Sequence, residues 1–138
     1  MAQWTPSHHN NVDEYLGAGL PFVTGSISAT TTAQEIKFPY VTRWIVVANT
    51  HATEELRFGF TKNGVDANPV QNSNYFLLNA KDTTNGSQMT PRLEVKCKSI
   101  WVRGDSGTAT CSVIAGYTTI PHHMMPNISG SENFSGVG

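Results

Sequence analysis

Short runs of β-branched and aromatic residues, each ended by a turn signal, recur between residues 20 and 121. Such spacing is typical of short strands in a sandwich or barrel, and it leaves no room for long helices. The segments with this character are residues 22–27, 32–38, 41–49, 56–61, 75–78, 93–103 and 108–118, and a further short strand is expected within 79–91. The pattern therefore predicts seven or eight strands in one all-β domain.

Two of these segments differ in how their apolar residues are arranged. In residues 56–61, Leu56, Phe58 and Phe60 alternate with Arg57 and Gly59, which predicts a strand with one buried face. In contrast, residues 44–48 are continuously apolar. A continuous apolar run predicts that the strand over 41–49 is covered on both faces.

The segments 93–103 and 108–118 flank a four-residue loop rich in turn formers, so we predict that they pair as a hairpin. In that register Ile100 lies opposite Cys111, and both point into the core. The alternation of residues 93–97 has the opposite phase to that of Ile100, and a bulge at residues 98–99 would account for the change.

We predict an all-β fold, a single jelly-roll sandwich of about eight antiparallel strands with irregular arms at both ends. The predicted organisation is an N-terminal arm over 1–19, a jelly-roll domain over 20–120 and a C-terminal tail over 121–138. Both arms are rich in polar residues, Gly and Pro and lack a sustained period. We expect them to be loose in an isolated monomer and to be ordered by a neighbour.

The charge balance argues against direct binding of nucleic acid. The 138 residues fit one domain, their formal net charge is −1, and only 14% of them are charged. A nucleic-acid-binding domain usually carries a basic stripe, and none is visible. A weakly charged surface instead suits a subunit that neighbours cover, because a free monomer generally needs charge for solubility.

The two cysteines, Cys97 and Cys111, are too few for a disulfide framework and lack zinc-site spacing, so we expect small buried core residues. No secretory signal pattern is visible at the N-terminus, and no apolar run is long enough to span a membrane. We therefore expect synthesis in a cytosol-like compartment and no membrane span.

Motifs that could carry chemistry are sparse. The adjacent pairs His8-His9 and His122-His123 have no Cys, Asp or Glu beside them at ligand spacing. The carboxylate pairs Asp13-Glu14 and Glu54-Glu55 fall in an arm and a turn. Neither a nucleophile elbow nor a phosphate-binding loop is present. We accordingly predict that the protein is not an enzyme, and that it has no catalytic residue, no cofactor and no metal site.

Aromatic residues raise the alternative of a sugar-binding platform. The aromatic residues at strand positions are Trp44, Trp101, Tyr40, Tyr75 and Tyr117. Aromatic residues in strands are more often core or interface packing, although a carbohydrate- or receptor-binding β-sandwich remains the main competing interpretation. Its site would lie in the loops over 62–73 or 79–91, since loops on a rigid scaffold carry binding.

Read in order, the strands resemble single-jelly-roll capsid proteins of large icosahedral double-stranded DNA viruses, particularly the small penton proteins of their vertices. The segments that carry the resemblance are residues 20–22 (LPF), 38–50 (FPYVTRWIVVANT), 56–65 (LRFGFTKNGV), 93–104 (LEVKCKSIWVRG) and 111–121 (CSVIAGYTTIP). The resemblance implies a structural subunit, five copies of which close a fivefold vertex. It implies no active-site residue.

This resemblance sets the expected partners and location. The protein would form a homo-oligomer, a pentamer, and contact neighbouring major and minor capsid proteins. It would be made in the host cytoplasm and reside in the virion. We expect Trp4 and Tyr15 to anchor the N-terminal arm on a neighbour, because aromatic residues dominate interface energetics. The alternative within structural proteins is a trimeric decoration or fibre protein.

Overall fold

The computed structural model describes residues 19–66, 74–81, 86 and 88–128. Within these ranges, eight strands, one short helix and a 3₁₀ turn follow in order. They are β1 (Leu20–Ala29), β2 (Gln34–Lys37), β3 (Tyr40–Asn49), β4 (Leu56–Gly59), α1 (Lys62–Asp66), β5 (Phe76–Leu78), β6 (Gln88–Met89), β7 (Ser99–Gly104), β8 (Ala109–Pro121) and the 3₁₀ turn (His122–Met124). The first and last strands thus bracket the chain from residue 20 to residue 121.

The strands form two four-stranded sheets. Sheet A has the order β1-β8-β3-β6 and sheet B the order β2-β7-β4-β5, with antiparallel pairing throughout. In this order β1 pairs with β8, β2 with β7, β3 with β6 and β4 with β5. These are the pairs of one long antiparallel hairpin that has rolled up into two facing sheets. That arrangement is a jelly roll, and the fold predicted from the sequence is confirmed.

The core lies between the two sheets. Side chains at alternate positions of each strand point into it, because successive residues of a strand face opposite sides. Its buried members are Ala29, Phe38, Ile45, Val47, Leu56, Phe58, Leu78, Cys97, Ile100, Val102, Ala109, Cys111, Val113, Ala115 and Tyr117. Both sheets contribute, so the sandwich depends on their mutual packing.

The predicted hairpin of residues 93–103 with 108–118 is wrong. β7 pairs with β2 and β4 in sheet B, whereas β8 pairs with β1 and β3 in sheet A. Ile100 and Cys111 are both fully buried, as expected, but they reach the core from opposite sheets. Alternation indicates which side of a strand is buried and does not identify the strand beside it.

The phase change before Ile100 also has a different cause from the predicted bulge. Leu93 bridges Ile45 of β3, and the amide of Thr42 donates to the carbonyl of Cys97 (2.9 Å), so this segment follows sheet A. From Ser99 onward the chain belongs to sheet B. The chain therefore changes sheets at residue 98, and the buried phase reverses because the core then lies on its other side.

A short helix stands where the sequence indicates only a turn and a loop. Thr61 Oγ1 accepts a hydrogen bond from the amide of Gly64 (3.0 Å), which is the usual contact of a helix N-cap. Val65 is fully buried. An N-cap and a buried Val65 therefore help to hold α1 on sheet B, although its sequence contains a glycine and no apolar repeat.

The beginning of the C-terminal tail is attached to its own domain. His122 Nδ1 donates to the carbonyl of Phe38 (2.8 Å), and Lys98 Nζ donates to the carbonyl of Met125 (3.1 Å). The expectation that the tail needs a neighbour for order is therefore wrong for residues 122–128. The remainder of the tail lies outside the described residues.

Candidate interaction surfaces

The outer face of sheet B is largely covered by the chain itself. Arg57 Nε binds Asp105 (2.6 Å), and its guanidinium stacks 4.4 Å from the centre of the Tyr75 ring. The neighbouring Arg103 donates from Nη1 to the carbonyl of Asp66 (2.7 Å). These half-buried contacts fasten α1 and the loop after β7 to the sheet, so the arginines here hold the fold together. Sequence patterns alone do not reveal this role, because it depends on which strands are neighbours.

A concavity of about 280 Å³ lies on this side, beyond the arginine cluster. Its lining includes Glu35, Phe60, Asn63, Lys98, Trp101 and Asn127. Aromatic rings, a carboxylate, an ammonium group and uncharged amides therefore line one small open pocket. Its volume lies near the lower end of the range for ligand sites.

The outer face of sheet A, in contrast, carries several exposed apolar side chains. Val23 of β1, Ile114 of β8 and Val46 of β3 form one cross-strand row, and Ala48 of β3 lies beside Met89 of β6 in the adjacent row. We refer to these five residues as the apolar stripe. It crosses all four strands of the sheet, and Val23 and Met89 are 74% and 61% exposed.

The apolar stripe occupies two cross-strand rows of sheet A. These two rows and the next row toward Trp44 contain no charged residue. Besides the stripe itself, the rows contain Pro21, Gly116, Trp44 and Ser112. The indole of Trp44 lies on the backbone of Gly116, where a Cβ atom would collide with it. The guanidinium of Arg92, which is paired with Glu94, lies 6.0 Å from the centre of the Trp44 ring, so an ion pair borders this face. An exposed apolar stripe of this kind is typical of a surface that another protein covers.

Within the described residues, the prediction that β3 is covered on both faces is not met. Ile45 and Val47 are fully buried against sheet B, whereas Trp44, Val46 and Ala48 on the other side are only half-buried. The continuous apolar run arises because one face packs in the core and the opposite face belongs to the apolar stripe.

The two predicted arm anchors, Trp4 and Tyr15, lie outside the described residues. The five aromatic residues considered for sugar binding do not form one platform. Trp44 lies on sheet A and Trp101 on the opposite side of the sandwich, beside the pocket of sheet B. Tyr75 stacks under Arg57, and Tyr117 is buried in an aromatic cluster with Phe22, Phe38 and Tyr40. Burial raises the pKa of the Tyr117 hydroxyl.

Both cysteines are buried and unpaired, as expected of core residues. Burial raises the pKa of the Cys97 thiol to about 11, although the hydroxyl of Thr42 beside it lowers that pKa in part. Burial raises the pKa of Cys111 to about 12. Because the thiolate is the reactive form, neither thiol is suited to nucleophilic chemistry at neutral pH.

The cysteines make the free energy of unfolding sensitive to alkali. Above a pH of about 9 the thiols ionise in the unfolded chain but remain protonated in the fold, so the folded state binds more protons and stability falls as pH rises. Each thiol should contribute a loss of about 1.4 kcal/mol per pH unit in that window. Urea unfolding at pH 8 and pH 10.5 measures the change.

The control for this prediction is the double variant C97A/C111A. We expect it to be less stable than the wild type at pH 8, because core contacts are lost, but to lose less stability between pH 8 and pH 10.5. An equal loss in both proteins would show that other groups cause the alkaline sensitivity. In the native wild type, a maleimide reagent should label neither thiol at pH 7.5.

No three His, Cys, Asp or Glu side chains among the described residues come together as ligands of a metal ion would. His123 is exposed, and the carboxylate of Glu54 accepts a hydrogen bond from Ser106. The pairs His8-His9 and Asp13-Glu14 lie outside the described residues. No helix in the described ranges has the length and apolar character needed to cross a membrane.

Comparison with known proteins finds no matching family model, no matching curated protein and no matching solved structure.

Proposed function

We propose that this chain is a structural capsid subunit, several copies of which close a ring at a fivefold vertex. The observation that carries the proposal is the exposed apolar stripe on the outer face of sheet A of a jelly-roll sandwich. Contiguous exposed apolar side chains on a soluble domain often mark a surface that a protein partner covers. The resemblance of residues 20–121 to penton proteins supplies the ring of five.

The remaining surface is consistent with a rigid building block. The Arg57–Asp105 ion pair and the Arg103–Asp66 contact hold the chain against itself rather than facing a cleft. The two sheets bury a continuous core, so that the domain acts as a rigid wedge. In this proposal the arms, with Trp4 and Tyr15 as anchors, bind neighbouring major and minor capsid proteins inside the virion.

The experiment that tests the proposal is the native mass of the purified full chain over a range of concentrations, with negative-stain images of the same samples. A closed ring of five copies supports the vertex role. A stable trimer would favour a decoration or fibre protein instead. A chain that stays monomeric up to millimolar concentration, with no assembly in the presence of its capsid, would overturn the proposal.

A second candidate function is a carbohydrate- or receptor-binding module, which the pocket on sheet B favours. Trp101 and Phe60 bring aromatic rings to its lining, and Glu35 and Asn63 bring hydrogen-bonding groups that a sugar could use. A glycan array compares the wild type with W101A. Glycan binding that the variant loses supports this function, and an array without hits argues against it.

A further inference from the structure

The pocket on sheet B lies on the opposite side of the sandwich from the apolar stripe. Trp101 of β7 pairs with Glu35 of β2 and with Gly59 of β4, so these three residues form one row of sheet B. Ile100 and Val102 on either side of Trp101 are fully buried, which places this row on the outer face. A partner that covers the apolar stripe therefore leaves the pocket open to a ligand.

The described residues that line the pocket carry two ammonium groups and one carboxylate. Lys62 and Lys98 supply the positive charges, and Glu35 supplies the negative charge. The Glu35 carboxylate lies 4.0 Å from the ammonium of Lys37, which offsets part of its charge. The lining is therefore positive on balance, although the whole chain has a formal net charge of −1.

Neutral acceptors hold Lys98 at the pocket. Its Nζ atom donates to the carbonyl of Met125 (3.1 Å) and to Oδ1 of Asn127 (2.5 Å). Among the described residues, no carboxylate forms an ion pair with this ammonium. An ammonium group has three N–H donors, so one donor and the positive charge remain for a ligand. Because two hydrogen bonds already fix the side chain, little of its conformational freedom is lost on binding.

The other groups of the lining favour a ligand that also carries hydroxyl groups. The Glu35 carboxylate only accepts hydrogen bonds, whereas the Asn63 amide both donates and accepts them. A simple anion would offer Glu35 no donor, and a neutral sugar would offer Lys98 no counter-charge. The rings of Trp101 and Phe60 suit the apolar side of a sugar, and a volume of about 280 Å³ suits a small ligand.

We propose that this pocket binds a sugar that carries a carboxylate, such as a hexuronic acid or a sialic acid, with the carboxylate paired to Lys98 Nζ. The inference rests on the second candidate function and deepens it, because it names the class of sugar and the cation that selects it. Exposed Lys62 at the rim adds to the positive potential. The inference does not depend on the proposed ring, since the pocket and the apolar stripe lie on opposite sides of the sandwich.

The experiment measures the affinity of the full chain for matched acidic and neutral sugars by titration calorimetry and ligand-detected NMR. Methyl glucuronide is compared with methyl glucoside, and a methyl sialoside with its methyl ester. We expect the acidic member of at least one pair to bind about tenfold more tightly, because its carboxylate gains a charge-assisted hydrogen bond. Added NaCl should weaken the binding of the acidic sugar more than that of its neutral counterpart.

Three variants that each remove one positive charge locate the carboxylate. K98Q should lower the affinity for the acidic sugar about tenfold and leave the affinity for the neutral one unchanged. Because K98Q also alters the contacts with Met125 and Asn127, K62Q is a second test that keeps them, and it should lower the affinity about threefold. Lys81 is exposed and lies outside the lining, so K81Q should bind like the wild type.

The possible failures separate this inference from the function on which it rests. Equal affinity for the acidic and neutral sugars of both pairs would overturn the acidic preference and leave a sugar-binding module intact. A preference that persists unchanged in both K98Q and K62Q would show that the carboxylate binds elsewhere, and would also overturn the inference. A glycan array without hits, together with no binding of either acidic sugar, would overturn the second candidate function itself.

Discussion

Replacing Asn49 by Asp should cost roughly 3–5 kcal/mol of unfolding free energy at pH 7, although the two side chains have nearly the same shape. Asn49 is fully buried at the end of β3. Its Nδ2 atom donates to the carbonyl oxygens of Glu54 (2.8 Å), Asn79 (3.0 Å) and Leu78 (3.3 Å). A carboxylate oxygen in that position would face these carbonyls without a proton to share, and its charge would be buried.

The loss in N49D should depend on pH in a defined direction. Burial beside carbonyl oxygens raises the pKa of the introduced carboxyl in the fold above its value of about 3.9 in the unfolded chain. Between these two pKa values the folded state binds more protons than the unfolded state, so stability falls as pH rises through the window. N49D should therefore recover part of its stability at pH 4.5, relative to wild type at the same pH.

Urea unfolding at both pH values measures this prediction, with N79D as the matched control. Asn79 is exposed, so the same change of charge a short distance away should alter stability by only about 0.5 kcal/mol. Equal losses of unfolding free energy in N49D and N79D would mean that the hydrogen bonds of Asn49 do not hold the loop after β3. A large loss in N49D alone would show that one buried amide secures the connection between β3, β4 and β5.

The fold class was predictable from the sequence because the strand signal is local. Alternation in residues 56–61 and turn signals such as Pro39 depend only on nearby residues. The neighbour of each strand was not predictable, because residues 99–104 and 109–121 bury alternate side chains in the same core whether they pair or face each other. The turn between them suits a hairpin and a crossover equally well.

The sequence predicts only part of the apolar stripe. The apolar run at 44–48 indicates two covered faces, but it does not say whether this chain or another covers the second. That distinction requires the order of the strands, which places Val23 and Met89 beside β3 on the outer face. Phe76 gives no local signal of exposure, because it has the same residue type and strand context as the buried Phe58.

The crossover between β7 and β8 should be the part of the fold least tolerant of an added methyl group. A Cβ atom on Gly104 would lie 1.7 Å from the carbonyl oxygen of Gly107 and 2.9 Å from that of Ala29. Both neighbours are backbone atoms, so no side chain can rotate away. We expect G104A to lose about 3 kcal/mol or more of unfolding free energy, at the upper end of the cost of overpacking.

A graded series of glycine variants separates this steric effect from the general effect of replacing glycine. A Cβ atom on Gly107 would lie 3.0 Å from the carboxyl group of Glu54, a side chain that can move, so G107A should cost clearly less than G104A. On Gly25 it would contact only Ser112 Oγ at 3.5 Å, and G25A should be near neutral or slightly stabilising. Thermal unfolding ranks the three variants. If G104A proved as stable as G25A, the crossover could shift its backbone freely, and the close packing of Gly104 against β1 would not determine how the two sheets are joined.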